Sequence, residues 1–256
     1  VLLFLFENKI IFGNEDISNY MLKKQFFNKN KYYKFFYKEM KSFVLKIDQN
    51  LLNNYEEKRR TGENENFICS LIRQDSIEDF VKFVNQNNVS LSRTIIKPSN
   101  FETNPFLLNN APSMIEYAAF FGSVQIFQYL RLNNVDLKPS LWLYGIHSNN
   151  AQIIHLLEEN EIKPPNDSFK ECLEESIKCH HNEISNYILS NLIDDMNDDF
   201  LISCCFKYHN YEFLQPEIKP QNLFYYSIKY DYITIVKLLL STNKINLTDK
   251  AINVLI

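Results

Sequence analysis

Six segments of this chain resemble one another more than composition alone explains, and that internal repeat limits the available folds more than any other feature. Each segment has an apolar helical stretch with small residues near its end, a short polar break, and a second apolar stretch. The clearest are SMIEYAAFFGSVQIFQYL (Ser113–Leu130) and NLFYYSIKYDYITIVKLLL (Asn222–Leu240). Ser140–Leu157 and Glu171–Ile188 follow the pattern, Asn66–Val84 follows it less closely, and Asp199–Leu214 is the most degraded. Aligned on the break, the equivalent positions are Asp75, Gly122, Asn149, His180, Tyr208 and Asp231. They recur about every 30 residues, the length of one supersecondary unit. The first interval is stretched by an insertion, Arg93–Pro112. A second landmark keeps the same phase: Asn88-Val89-Ser90-Leu91, Asn134-Val135-Asp136-Leu137 and Lys244-Ile245-Asn246-Leu247, with Glu161-Ile162 as a weaker copy. Asn at a helix end adopts the left-handed conformation that closes the last carbonyls, and the Val or Ile after it tucks under the helix pair.

Within Ser113–Leu130 the spacing places Ile115, Ala118 and Ala119 on one helical face, and Val124, Phe127 and Leu130 on a face of the next helix. The small pair lets two antiparallel helices approach closely. One such pair cannot bury its apolar face alone, so neighbours must stack into a continuous core. The expected fold class is therefore all-α, a solenoid of about six helix pairs.

Composition agrees. Of 256 residues, 45% are hydrophobic and 14% aromatic, enough for an ordered core. Four glycines and eight prolines are too few for a fold of many tight β-turns. A net charge of −4 disfavours a nucleic-acid scaffold held by bulk electrostatics. The charge is uneven. Residues 1–66 carry 12 Lys+Arg against 9 Asp+Glu, and residues 67–256 carry 15 against 22, which suggests a boundary in the polar stretch Asn54–Asn66. Two domains are thus expected, a helical cap region over 1–65 and the repeats over 66–256. Five cysteines, odd in number and without scaffold spacing, read as reduced thiols in a cytoplasmic protein. The apolar opening Val1–Phe6 is too short to span a bilayer, and no transmembrane segment is expected elsewhere. Val rather than Met at position 1 suggests a fragment of a longer protein.

Ser113–Leu130 resembles the ankyrin repeat, T-P-L-H-x-A-A-x-x-G-x-x-x-I-V-x-x-L. Ser113 stands at the capping Thr, Ala118-Ala119 at the alanine pair, and Gly122 at the interhelical glycine; His181 and His209 fall where family members carry His after that glycine. Met114 and Glu116 depart from the family Pro and His, and most repeats lack the Gly. The resemblance covers about residues 66–247 and is nearest to the divergent Asn-, Phe- and Tyr-rich ankyrin-repeat proteins of parasitic protists. It implies a non-enzymatic scaffold that binds another protein on the concave face of the stack. Mapped onto this chain, that surface is Phe120, His147, Lys178 and Lys229, each just after the second small-position residue of its repeat.

Residues 1–65 do not fit the repeat. Phe36, Met40, Phe43, Val44, Ile47 and Leu51 recur at helical spacing, so an amphipathic helix over about Lys31–Asn53 is expected as a cap on the open end of the stack. The lysines and aromatics of Lys23–Lys46 also suit a nucleic-acid or anionic membrane-surface adaptor. Buried aromatics beside solvated lysines account for the same letters without a ligand.

Sites of chemistry are sparse. Cys172, Cys179, His180, His181, Cys204, Cys205 and His209 fall in adjacent repeats but lack the paired short spacings of a zinc site. Cys204 and Cys205 read as small core residues at the alanine-pair position. Cys179 and His180 are neighbours in sequence, and neighbours on a helix point in different directions. The acidic pair Asp198-Asp199 suits a helix N-terminus better than a calcium loop. No phosphate-loop, nucleophile-elbow or zincin motif occurs. No catalytic residue, cofactor, metal or small-molecule substrate is therefore expected.

Overall fold

The computed structural model describes residues 54–214 and 218–242. The helices expected before Asn54, the lysine-rich segment 23–46 and the Lys244–Leu247 landmark lie outside the described residues. Those described form α-helices joined by short turns, with two single 3-10 turns and no strand among them. In order the helices are α1 (Tyr55–Thr61), α2 (Phe67–Arg73), α3 (Ile77–Gln86), α4 (Pro105–Asn109), α5 (Met114–Phe121), α6 (Val124–Leu132), α7 (Leu141–Ser148), α8 (Ala151–Glu159), α9 (Lys170–Lys178), α10 (Asn182–Asn191), α11 (Asp198–Tyr208), α12 (Pro220–Lys229) and α13 (Ile233–Ser241). The all-α expectation holds. The chain divides into two compact units, between Tyr117 and Ala118.

In the first unit, the polar stretch Asn54–Asn66 contains helix α1, with Tyr55 and Arg59 buried and the Tyr55 ring edge-on to Phe101. Helices α2 and α3 pack together over Cys69, Ile72 and Phe80, all fully buried. The Arg93–Pro112 insertion is ordered by the backbone. Ile96 N–H donates to the Pro112 carbonyl (2.7 Å), and Thr103 N–H donates to the Gly62 carbonyl (2.9 Å). Asn104 caps α4 by accepting from Phe106 N–H, with Pro105 at the first helical position, where a missing N–H costs nothing. Ser113 opens α5 through a capping box: the Glu116 carboxylate accepts from the Ser113 backbone N–H and hydroxyl, both at 2.7 Å. Glu116, a departure from the ankyrin pattern, thus has a local structural role.

Every break between paired helices turns on one left-handed residue: Asp75, Gly122, Asn149, His180, His209 and Asp231. Five of these match the sequence alignment. The fifth break is His209 and not Tyr208, because Asn, Asp and His tolerate positive φ better than a bulky aromatic does. The shift moves Cys205 onto the small-residue position and Asn210 onto the position where the sequence alignment set His209. In five of the turns the N–H after the left-handed residue returns to a carbonyl five residues back: Ser76 to Leu71, Ser123 to Ala118, His181 to Ser176, Asn210 to Cys205 and Tyr232 to Ser227, at 2.7–3.1 Å. The exit turns behave as expected. Asn88, Asn134 and Glu161 are left-handed, and the next N–H closes onto Val84, Leu130 and Leu157.

In the second unit, α7 packs on α8, α9 on α10 and α12 on α13, while the first helices also meet in succession, α7 with α9, α9 with α11 and α11 with α12. Small residues permit this. A Cβ on Gly145 would stand 3.0 Å from Leu157 Cδ1 and 3.1 Å from Ile153 Cγ2. Ser176, fully buried, donates to the Leu173 carbonyl and accepts from Ser185 of α10 at 2.8 Å. In α6 the buried face is Ile126, Phe127 and Leu130, with Val124 only half-buried.

In the second unit, side chains at the residue after four of the left-handed turns link successive pairs. His181 Nδ1–H donates to the Ile146 carbonyl (2.8 Å), Asn210 Nδ2 to Ile177 (3.0 Å) and the Tyr232 hydroxyl to Phe206 (2.8 Å). The three acceptors occupy the same place near the C-terminus of their first helices, among carbonyls that have no partner within the helix. Asn150 donates instead to the Gly122 carbonyl at 3.2 Å. Asn210→Ala removes one buried side-chain bond to the Ile177 carbonyl, which keeps the His180 N–H (3.1 Å), and is expected to cost about 0.5–1.5 kcal/mol, read as a lower urea midpoint with helix content retained. Gly145→Val is expected to cost about 1–3 kcal/mol through overpacking against α8, measured the same way.

Candidate functional site

With the corrected register, the position two residues before each left-handed turn is Arg73 in the first unit, where it pairs with Glu63, and Phe120, His147, Lys178, Lys207 and Lys229 in the second. Four of these are the surface expected from sequence. Lys207 was missed because the degraded repeat was aligned one residue early, and the left-handed preference of His over Tyr is the signal that finds it.

The structure brings three of the expected residues into one cluster. Phe120 is buried, its ring stacked on His147 at 4.8 Å between centroids and 25° between planes. His147 Nε2–H donates to Glu175 Oε1 at 2.9 Å, and Lys178 Nζ donates to both carboxylate oxygens at 2.9 and 3.0 Å. On the other edge of the ring, His147 Nδ1 lies 3.5 Å from Cys179 Sγ. Glu175 and Cys179 project from one face of α9 at a four-residue spacing, and His147 comes from α7, one helix pair earlier. The site is half-buried: the His147 and Glu175 side chains keep 11% and 14% of their exposure.

Burial alone raises the pKa of Glu175, but hydrogen bonds from His147 and Lys178 and the charge of Lys178 outweigh it and hold the carboxyl below its ordinary value. Burial, with the Glu175 charge, pushes the Cys179 thiol up to about 11. The other cysteines are likewise buried and raised, Cys69 and Cys205 to about 11, Cys172 and Cys204 to about 12. The cluster therefore has the connectivity of a thiol–imidazole–carboxylate relay while the sulfur stays protonated at neutral pH, the opposite of an activated nucleophile.

Lys207 and Lys229 have different surroundings. Lys207 Nζ and the Tyr208 hydroxyl both donate to Glu174 Oε1, at 2.8 and 2.6 Å. Burial raises the Glu174 pKa and these two hydrogen bonds lower it, leaving the carboxylate below its ordinary value. Lys229 Nζ lies over the rings of Tyr225, Tyr226 and Tyr230 at 5.3–5.9 Å. Lys178, Lys207 and Lys229 are all exposed.

Of the seven cysteines and histidines weighed from sequence for zinc, Cys179 alone joins a three-ligand group among the described residues, and its companions, His147 and Glu175, lay outside that set. His180 donates from Nε2 to the Tyr208 carbonyl, and His181 is bound to Ile146. A groove of about 340 Å³ opens elsewhere, between α8 and α10, lined by Ile154, His155, Glu158, Glu183, Ile184 and Tyr187. Within it the Tyr187 hydroxyl donates to the Glu158 carboxylate. Among the described residues no helix is long and apolar enough to cross a membrane. No family model, curated protein or solved structure matches this chain.

A depressed carboxylate pKa stabilises the fold above the unfolded value, about 4.3 for Glu, and that stabilisation is lost as pH falls through the folded value. Wild type is therefore expected to exceed Glu175→Gln in unfolding free energy at pH 7, with the difference shrinking on acidification below about pH 4, as read from urea melts across the pH range.

Proposed function

We propose that this chain is a divergent ankyrin-type repeat scaffold without catalytic activity, whose work is to bind another protein. The observation that carries this reading is a side-chain row recurring in phase with the turn. In the second unit one residue per first helix stands two before the left-handed position; Phe120 and His147 pack together there, and Lys178, Lys207 and Lys229 are exposed in succession. A recurring backbone frame with a variable residue at one fixed position is how repeat stacks build extended recognition surfaces. The ankyrin-like reading is further supported by the pairing of each first helix with its own second helix and with the next first helix.

The row favours an acidic partner with apolar anchors. Three ammonium groups stand out against a background of net −7 over residues 67–256, and Tyr225 and Tyr230 beside Lys229 add aromatic area of the kind enriched at interface centres. Like-charge mismatch at such a row costs affinity and slows association. The triple reversal Lys178→Glu, Lys207→Glu, Lys229→Glu is expected to weaken capture of the protein partner at least about tenfold, with circular dichroism unchanged. Lys163→Glu, at an exposed lysine outside the row, serves as the control and should bind as wild type does. Equal binding by the triple variant would sink the assignment of this surface. Capture of nucleic acid or anionic vesicles that fades steeply with salt would move the function to the Lys23–Lys46 segment.

A further inference from the structure

The proposed function leaves the Cys179–His147–Glu175 cluster unused. We propose that these three side chains form a binding site for a divalent zinc-type metal ion, with Cys179 Sγ and His147 Nδ1 as ligands already in position and Glu175 as the third.

Geometry carries the assignment. Zinc–sulfur and zinc–nitrogen bonds of about 2.3 and 2.0–2.1 Å, opened to a tetrahedral angle, set sulfur and nitrogen about 3.5 Å apart. Cys179 Sγ and His147 Nδ1 are 3.5 Å apart. One ligand-type atom from each of the three residues lies within 4.8 Å of the others; Glu175 rests on the Nε2 edge of the ring and would come to the ion by rotation of its side chain. Two of the ligands share one face of α9 at the four-residue spacing that suits chelation, and the third comes from a neighbouring packed helix. The imidazole is already oriented by its stack on Phe120. Partial burial sheds bulk water, leaving the fourth position to a water molecule or to a group from a bound partner, the arrangement of an open zinc site.

The chemistry of the donor set agrees. Thiolate with imidazole suits zinc over magnesium or calcium, which take oxygen. The thiol gives up its proton to solvent as the metal binds. Glu175 leaves both Lys178 and the His147 Nε2–H when it turns to the ion, and the bond to the metal replaces these contacts. Lys178 is then released beside the metal with no carboxylate partner from Glu175, so occupancy would also alter the row proposed above as a binding surface.

The test uses the full chain, stripped with a chelator and titrated with cobalt(II), then with zinc(II) in competition. One equivalent of cobalt is expected to give a sulfur-to-cobalt charge-transfer band and the intense visible bands of tetrahedral coordination, both displaced by zinc. Cys179→Ser should abolish the charge-transfer band, whereas Cys204→Ser should keep it. His147→Gln and Glu175→Gln should each weaken zinc at least about tenfold. A wild-type measurement guards against variants that fail to fold: zinc should protect Cys179 from iodoacetamide, read by mass spectrometry of the alkylated peptide. Absence of a thiolate band in wild type, a band that survives Cys179→Ser, or equal alkylation of Cys179 with and without zinc would overturn the site. An unchanged zinc affinity in Glu175→Gln would overturn the three-ligand set. The protein-binding assay is run on the chelator-stripped chain, where no metal alters the row, so the two proposals fail separately.

Discussion

The second unit depends on how the last carbonyls of each first helix find donors. An α-helix leaves its final carbonyls without intrahelical partners, and burying them unpaired costs on the order of 1–3 kcal/mol each. Here one carbonyl is closed by the N–H after the left-handed turn, and another by a side chain from the next helix pair: His181 on Ile146, Asn210 on Ile177, Tyr232 on Phe206. The same residue thus ends its own helix pair with its backbone and ties down the previous pair with its side chain. Local capping and the contact between neighbours become one device, which sets the register of α7, α9, α11 and α12 against one another.

That device explains why unlike residues serve at equivalent positions. Asn, His and Tyr share a polar hydrogen at different reach, and each finds a carbonyl at hydrogen-bonding distance. The left-handed position tolerates Gly, Asn, Asp and His alike. The small position holds Ala118, Gly145, Ser176, Cys205 and Ser227, limited by the closeness of the second helix and not by chemistry. The turns therefore share a hydrogen-bond pattern while their residues differ, and the segment around Cys204–Leu214 keeps that pattern with the least similar residues.

The cluster of Phe120, His147, Glu175, Lys178 and Cys179 arises from the same register. Two residues before each turn, successive first helices bring Phe120, His147 and Lys178 side by side, and Glu175 and Cys179 flank Lys178 on α9. No short motif encodes this, because the three ligand-type groups come from two repeats. Spacing along the chain points to His180 and His181, which are occupied with carbonyls, and carries no sign that His147 reaches Cys179.

Read alone, the sequence determined the helical class, the phase of the repeat, five of the six left-handed turns and the exit turns at Asn88, Asn134 and Glu161. Each follows from local chemistry: apolar periodicity, small residues, and the few side chains that tolerate positive φ. Tertiary structure decided the rest. It set the fifth break at His209, ordered the Arg93–Pro112 insertion through backbone bonds from Thr103 to Gly62 and from Ile96 to Pro112, and made Glu116 a cap. It also buried Phe120, left Lys207 on the exposed row, and joined Cys179 to His147. Those outcomes depend on which surfaces meet across tens of residues, and spacing along a chain carries no information about distance across a packed interface.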